Sequence, residues 1–145
     1  MASIFPFTNP AVVAAEAEAP LPMYYDVEWD YDRNVPIYYG GEPHIVDGLP
    51  AVKSWAWRAL YTERFLNEVY SWNYGNEMMS VIGEAWDAGV KIAELSRYCR
   101  ECLMASPYIT AVRDISVSFE SKEARVKMSC SLDTVYGSAT LEVVV

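Results

Sequence analysis

A chain of 145 residues with a formal charge of −9 suits one domain and is a poor match for a nucleic-acid backbone, which rewards Lys and Arg. A hydrophobic share of 52% supplies a real core and excludes disorder along the whole length. No apolar run approaches the ~20 residues that span a bilayer, and Glu16 and Glu18 interrupt the Ala-rich stretch that a secretory signal would keep apolar, so a protein made in the cytoplasm with protein partners is expected, contacting no nucleic acid and no membrane.

Residues 1–22 form a compositional zone of their own. Pro6, Pro10, Pro20 and Pro22 flank an Ala/Glu stretch. Proline fixes φ and removes a donor, so an extended arm is expected, either a free tail or a segment ordered against a neighbour. The remaining residues, 23–145, read as a single domain. Residues 23–31 are rich in Tyr, Val and Trp, which favour strands. Residues 35–39 are a second short candidate. Gly40-Gly41 marks a turn, residues 44–46 a return strand and Asp47-Gly48 another turn. Together they predict a small hairpin region.

Pro50 suits the first position of a helix, where its missing N–H costs nothing. Val52, Trp55, Ala56, Ala59 and Leu60 follow at helical spacing, with Lys53, Ser54 and Arg58 on the other side. An amphipathic helix over 50–61 is expected, with Trp55 in the core. Trp57 falls off that stripe and either packs under the hairpin region or meets a partner. Tyr70-Ser71-Trp72-Asn73-Tyr74-Gly75 reads as a loop with a Gly stop. Trp72 and Tyr74 are interface anchors or core packing, since aromatic side chains dominate contact energies. A short helix over 77–82 follows. Asp87 is the candidate N-cap of a further helix. That helix places Ile92, Leu95, Cys99, Cys102 and Leu103 on one face and ends near Ala105, because Pro107 disfavours helical geometry at Ser106.

The last third changes period. Ile115, Val117 and Phe119 alternate with serines; so do Val126, Met128, Cys130 and Leu132 with Arg125, Lys127, Ser129 and Ser131. Ser121-Lys122-Glu123 is a compact loop between these strands. Ala139, Leu141, Val143 and Val145 continue the pattern against Thr140 and Glu142. Period two with one polar face means an antiparallel sheet covered on one side. The predicted fold is α+β: an antiparallel C-terminal sheet packed on two to three helices, with an extended N-terminal arm and a small hairpin. The run Leu141-Glu142-Val143-Val144-Val145 is a hazard if its edge is bare. Either this chain covers it, or a neighbouring subunit exchanges a strand with it.

Several motifs sharpen this reading. Val52, Lys53, Trp55, Trp57, Ala59 and Leu60 lead into Thr62-Glu63-Arg64 and then into Tyr70–Gly75. Tyr98, Arg100, Glu101, Pro107-Tyr108-Ile109 and Thr134-Val135-Tyr136-Gly137 follow in order. In this combination residues 49–82, and more loosely the last hundred residues or so, resemble the sheath-initiator family of contractile-tail baseplates, the tail-lysozyme-like wedge proteins of Gram-positive phages and prophages. The resemblance implies a structural virion component made in the host bacterial cytoplasm. It implies that Glu63 and Arg64 dock the protein onto the core helical bundle of the baseplate wedge; Trp72 and Tyr74, read above as anchors or core packing, are the candidates to join that contact. An Arg guanidinium makes oriented, bidentate bonds that fix register; the alternative is a solvated pair at a helix end. Many members carry an extra Pro or Gly in this turn, and this chain does not. The resemblance further implies that the C-terminal sheet imitates a sheath subunit. Strand exchange at Leu141, Glu142, Val143, Val144 and Val145 would then template the first sheath ring, with six copies per baseplate. The implied partners are the tail sheath protein and wedge core proteins, with tail tube or hub proteins as further candidates.

An older label for the family suggests a lysozyme, so a tail-carried peptidoglycan hydrolase is the rival reading. Glycoside hydrolysis needs a carboxylate pair across the scissile bond. Glu63 with Glu68 or Glu77 supplies carboxylates, but no spacing singles out a pair. Cys99-x-x-Cys102 with Cys130 and His44 has the ligand count of a zinc site; two small side chains on a buried helix face are the simpler explanation. Nucleophilic catalysis has a single His to draw on, His44. The expectation is therefore no enzyme, no catalytic residue, no metal and no cofactor.

Overall fold

The computed structural model describes residues 20–120 and 125–145; most of the expected arm and the expected loop at residues 121–123 lie outside them. The N-terminal region is more elaborate than one hairpin. β1 (Tyr25–Val27) pairs with β6 (Ile45–Asp47), β2 (Trp29–Asp30) with β3 (Val35–Pro36), and β4 (Tyr38–Tyr39) with β5 (Glu42–Pro43), all antiparallel. Where these three arms meet, backbone groups close a ring. The Glu28 N–H donates to the His44 carbonyl at 2.8 Å, the His44 N–H to Ile37 at 2.9 Å, and the Ile37 N–H to Glu28 at 2.9 Å. The ring satisfies polar groups that two-residue strands would leave bare. Gly40 and Gly41, with φ of 60° and 85°, make the tight β4–β5 turn, which needs positive φ at both positions.

Gly48 (φ 64°) turns the chain from β6 into α1 (Leu49–Tyr61). The Ser54 hydroxyl donates to the Val27 carbonyl at 2.7 Å and ties the helix to β1. Small side chains at Ala51, Ala56 and Ala59, all fully buried, let α1 approach its neighbours closely. Trp57 packs under the N-terminal unit, one of its two expected places, while Trp55 is less buried than expected. Trp57 is buried beneath Trp29 and Tyr31 and stacks on Tyr61 at 5.1 Å, whereas Trp55 is half-buried against the edge of Tyr74. The reason is geometric. The helix is covered both by the sheet and by the three-armed unit, so its buried arc is wider than one apolar stripe.

The second helix is shorter than expected, α2 (Met79–Ile82). In α3 (Ala88–Met104) the Asp87 carboxylate accepts the Gly89 N–H at 3.0 Å, as an N-cap should, and Ala105 ends the helix. Leu95, Cys99, Cys102 and Leu103 are buried as expected, but Ile92 stays 39% exposed because burial begins one turn later.

β7 (Ile109–Glu120), β8 (Arg125–Thr134) and β9 (Gly137–Val144) form one antiparallel sheet in the order β7-β8-β9. Val126, Met128, Cys130 and Leu132 of β8 and Leu141 and Val143 of β9 face the helices. In β7 the register shifts between Arg113 and Ser116, with Asp114 at φ 53°. Such a bulge bends and twists a strand. Beyond it Ile115 and Val117 are only half-buried and Phe119 is exposed, so the expected alternation weakens there. α1 lies over β9 and α3 over β7. The architecture is thus the predicted α+β layer, with helices on one face of a C-terminal antiparallel sheet.

Candidate protein interfaces

The first candidate surface grows from the end of α1. Thr62 leaves helical geometry, and its hydroxyl donates to the Arg58 carbonyl at 2.7 Å. The next residues are pinned by a segment that returns from the aromatic loop. The Asn76 N–H donates to Thr62 O at 3.0 Å, and the Arg64 N–H donates to Asn76 O at 2.8 Å. The buried Asn76 side chain donates to Leu60 O at 2.6 Å and Thr62 O at 2.8 Å, while its Oδ1 accepts the Met78 N–H at 3.0 Å. One side chain therefore satisfies carbonyls that a helix end leaves unpaired. Gly75 (φ 100°) makes this approach possible. A Cβ there would stand 2.9 Å from Thr62 O. Neither role was anticipated from the sequence, although a Gly-Asn pair following an aromatic loop is a usable signal.

Within this frame the Arg64 guanidinium is engaged inside the chain. Its Nε donates to Trp72 O at 2.6 Å, an Nη lies 3.8 Å from the Glu77 carboxylate, and its plane covers Phe65 at 4.6 Å. The carboxylate beside Arg64 is that of Glu77, while Glu63 is exposed. Arg64 thus gathers the two ends of the 65–72 loop. Phe65 holds φ 69°, costly for a bulky side chain, and packs on Trp72 with centroids 5.6 Å apart. The loop presents an apolar surface: Leu66 is 69% exposed, Val69 92% and Trp72 80%. Tyr74 faces inward instead, between Tyr70 and Trp55, and burial pushes its hydroxyl above the ordinary tyrosine range.

The second candidate surface is the margin of the sheet. Val126 and Val145 exchange both backbone bonds, at 2.8 and 2.9 Å. In an antiparallel ladder bonded pairs recur every second residue. The register Met128↔Val143, Cys130↔Leu141 and Leu132↔Ala139 therefore turns the odd-numbered residues of β9 toward β8. The backbone groups of Thr140, Glu142 and Val144 point the other way, and among the described residues no strand pairs with them. An open groove of about 890 Å³ runs along this margin, walled by Trp57 and Tyr61 of α1 and by the β2–β3 turn at Tyr31 and Asn34. Of the residues expected to exchange strands, Leu141 and Val143 are buried in the core, Glu142 and Val144 are exposed, and Val145 is half-buried.

The three cysteines form no comparable site. Cys99, Cys102 and Cys130 are buried and free. Burial pushes the Cys102 thiol up to about 12; Cys99 is also raised, by its hydrogen bond with Cys130 and by burial. His44 lies instead against Glu28 at 2.5 Å and the edge of Tyr39. Among the described residues no group of three or more His, Cys, Asp and Glu side chains is arranged to hold a metal ion, and none of their helices is long and apolar enough to cross a membrane.

Comparison with known proteins covers the first surface; the family match ends where β9 begins. The model of the contractile injection system sheath initiator family matches residues 25–137. The phage-like element PBSX protein XkdS of Bacillus subtilis (strain 168) is 32% identical over 103 residues, 70% of this chain and 71% of that protein. The match takes in the three-armed unit, α1 with its aromatic loop, α3, β7 and β8. The chain therefore belongs to the contractile injection system sheath initiator family, structural proteins of the phage-tail baseplate.

Proposed function

We propose that this protein docks on the core of the baseplate wedge through the 62–76 region and seeds the first sheath ring by accepting a sheath strand at the outer margin of β9. The observation that carries the reading is a strand laddered on one side to β8 and bare on the other among the described residues. Backbone groups in that state are a ready template for an extended chain. Six copies, one per wedge, would present six such margins around the tube, a closed ring from which a helical sleeve grows. Glu63, Arg64, Trp72 and Tyr74 divide the docking work. Arg64 and Tyr74 hold the loop in shape from within; Glu63 and Trp72, with Leu66 and Val69 beside them, make the contact. Apolar burial in a partner's groove supplies the affinity, at ~25 cal/mol per Å² removed from water.

Baseplates assembled from purified components test both halves. Val69→Asp should leave the isolated domain folded, because Val69 is 92% exposed, and should keep the protein out of wedges; Arg64→Glu should do the same by releasing the loop. Normal incorporation of both variants would remove the docking role. Full incorporation with failure to polymerise sheath is expected when only the β9 margin is blocked.

A further inference from the structure

The groove beside β9 has more structure than strand addition requires. Its floor near Leu141 continues onto the stacked Trp57–Tyr61 pair of α1, whose planes lie 6° apart. Its far wall is the β2–β3 turn, held stiffly by several bonds. Asp30 Oδ1 accepts the N–H groups of Asp32 and Arg33 at 3.1 and 3.0 Å, and Asn34 Oδ1 accepts the Trp29 indole N–H at 3.2 Å. Tyr31, at the root of this turn, lies against Trp57 at 5.7 Å and under the Lys53 ammonium at 5.3 Å. An extended segment bonded to Thr140, Glu142 and Val144 turns alternate side chains toward opposite faces. One set would stand over the serines and charges of the open face. The other would enter the slot between Tyr61 and the turn.

We infer that the three-armed N-terminal unit and α1 form a selective clamp for the added strand, admitting aliphatic side chains at every second position of its helix-facing side. This rests on the strand-addition reading above and specifies which strand is accepted. The occupant is one extended segment of the sheath protein, with alternating aliphatic and polar residues. An acidic residue in the slot would lose its hydration against aromatic walls, in a groove where Asp32, Glu63 and Glu142 outnumber Lys53 and Arg125. The clamp gives the β2–β3 arm a task that its own small core does not explain.

The test uses the full chain and a fluorescent synthetic peptide of about nine residues, a common strand length. It alternates Val and Thr and is N-methylated at every second residue, so that it bonds along one margin only. The chain should bind this peptide, and Glu142→Pro should abolish binding. Tyr61→Ala removes a half-exposed wall side chain and should weaken binding roughly tenfold. A peptide with Asp in place of Val should bind at least tenfold more weakly. Phe119→Ala, at the opposite margin of the sheet, should change nothing. If Tyr61→Ala and the Asp peptide bind like the reference while Glu142→Pro does not, the clamp is wrong and strand addition stands. Undiminished binding to Glu142→Pro would overturn strand addition itself, and no binding at millimolar peptide would overturn both.

Discussion

Replacing Glu142 by proline isolates one backbone amide. The reciprocal bonds of Val126 and Val145, stepped along the register, turn the Glu142 N–H away from β8. Proline there removes no bond of the existing ladder, which is the one condition under which a strand tolerates it. The side chain lost makes an exposed ion pair with Lys127 at 2.7 Å, of a class that adds little to stability. The domain should therefore melt within a few degrees of the native chain. An incoming strand, however, meets a ring where it needs a donor. It loses one bond directly and those at Thr140 and Val144 by misalignment. At ~0.5–1.5 kcal/mol net per backbone bond, the loss is about 2–4 kcal/mol, roughly 30- to 700-fold in affinity. Seeding is read by electron microscopy of baseplates mixed with sheath protein: Glu142→Pro baseplates should carry the protein yet stay bare. Val143→Pro is the contrasting control. Its amide does belong to the β8 ladder and its side chain is 2% exposed, so it should unfold the sheet. Normal sheath growth on Glu142→Pro baseplates would refute the reasoning. Deleting residues 141–145 is a poorer experiment, because Leu141 and Val143 belong to the core.

Three further outcomes follow from the turn and the thiols. Gly75→Ala places a Cβ at φ 100° and 2.9 Å from Thr62 O; it should destabilise the domain by about 2–4 kcal/mol, and an unchanged urea midpoint would contradict the tight approach. Asn76→Ala removes the side-chain partner of the Leu60 carbonyl and of the Met78 amide, while Thr62 O keeps the backbone N–H of residue 76; this should cost about 2–3 kcal/mol in urea unfolding, and a cost below ~0.5 kcal/mol would show that water replaces the side chain. Cys102 titrates at about 12 in the folded state, above the ordinary thiol value of ~8.5. Its contribution is therefore complete below that value and is lost as pH rises toward 12. Stability should fall between pH 8 and pH 10.5, and fall less in Cys102→Ala; equal slopes would exclude this thiol as the cause.

What the sequence disclosed follows the length scale of the signal. α1 and α3 repeat their periodicity over several turns, and both were readable to within a residue or so at their ends. β8 and β9 alternate cleanly because helices cover one whole face. The three-armed unit was legible only as a hairpin, since two-residue strands carry almost no periodic signal and their junction depends on a backbone ring among Glu28, Ile37 and His44. Trp57 packs under the N-terminal unit, one of its two expected places, but Trp55 is only half-buried and Trp57 is the deeper of the two, an order missed because a single stripe was assumed for a helix covered on two sides. At the candidate docking surface the motif residues were visible but their division of labour was not. The exposure of Leu66 and Val69 and the inward duty of Arg64 depend on how Asn76 and Gly75 fold the loop back, a tertiary arrangement with no local pattern.

The two proposed surfaces share α1, and this constrains how an initiator of this kind must work. The helix ends in the Thr62–Arg64 turn that carries the aromatic loop, while Trp57 and Tyr61, in its last turns, wall the groove beside β9. Glu63, Asn76 and Met79 border the same groove. No linker intervenes: a side chain on the loop and a backbone bond on the margin are separated by packed, hydrogen-bonded structure that resists bending. Under the proposed docking, the direction in which the accepted sheath strand leaves the wedge would be set by the loop's seating, not by an average over a flexible tether. A template for the proposed six-fold ring needs that property, because margins presented at independent angles would not close it. Two glycines inserted after Thr62 would leave both surfaces chemically intact. If the rigid junction matters, such a protein should still bind wedges and the Val/Thr peptide, yet seed sheath poorly and with irregular first rings. Regular rings at normal frequency would mean that the sheath imposes the geometry itself.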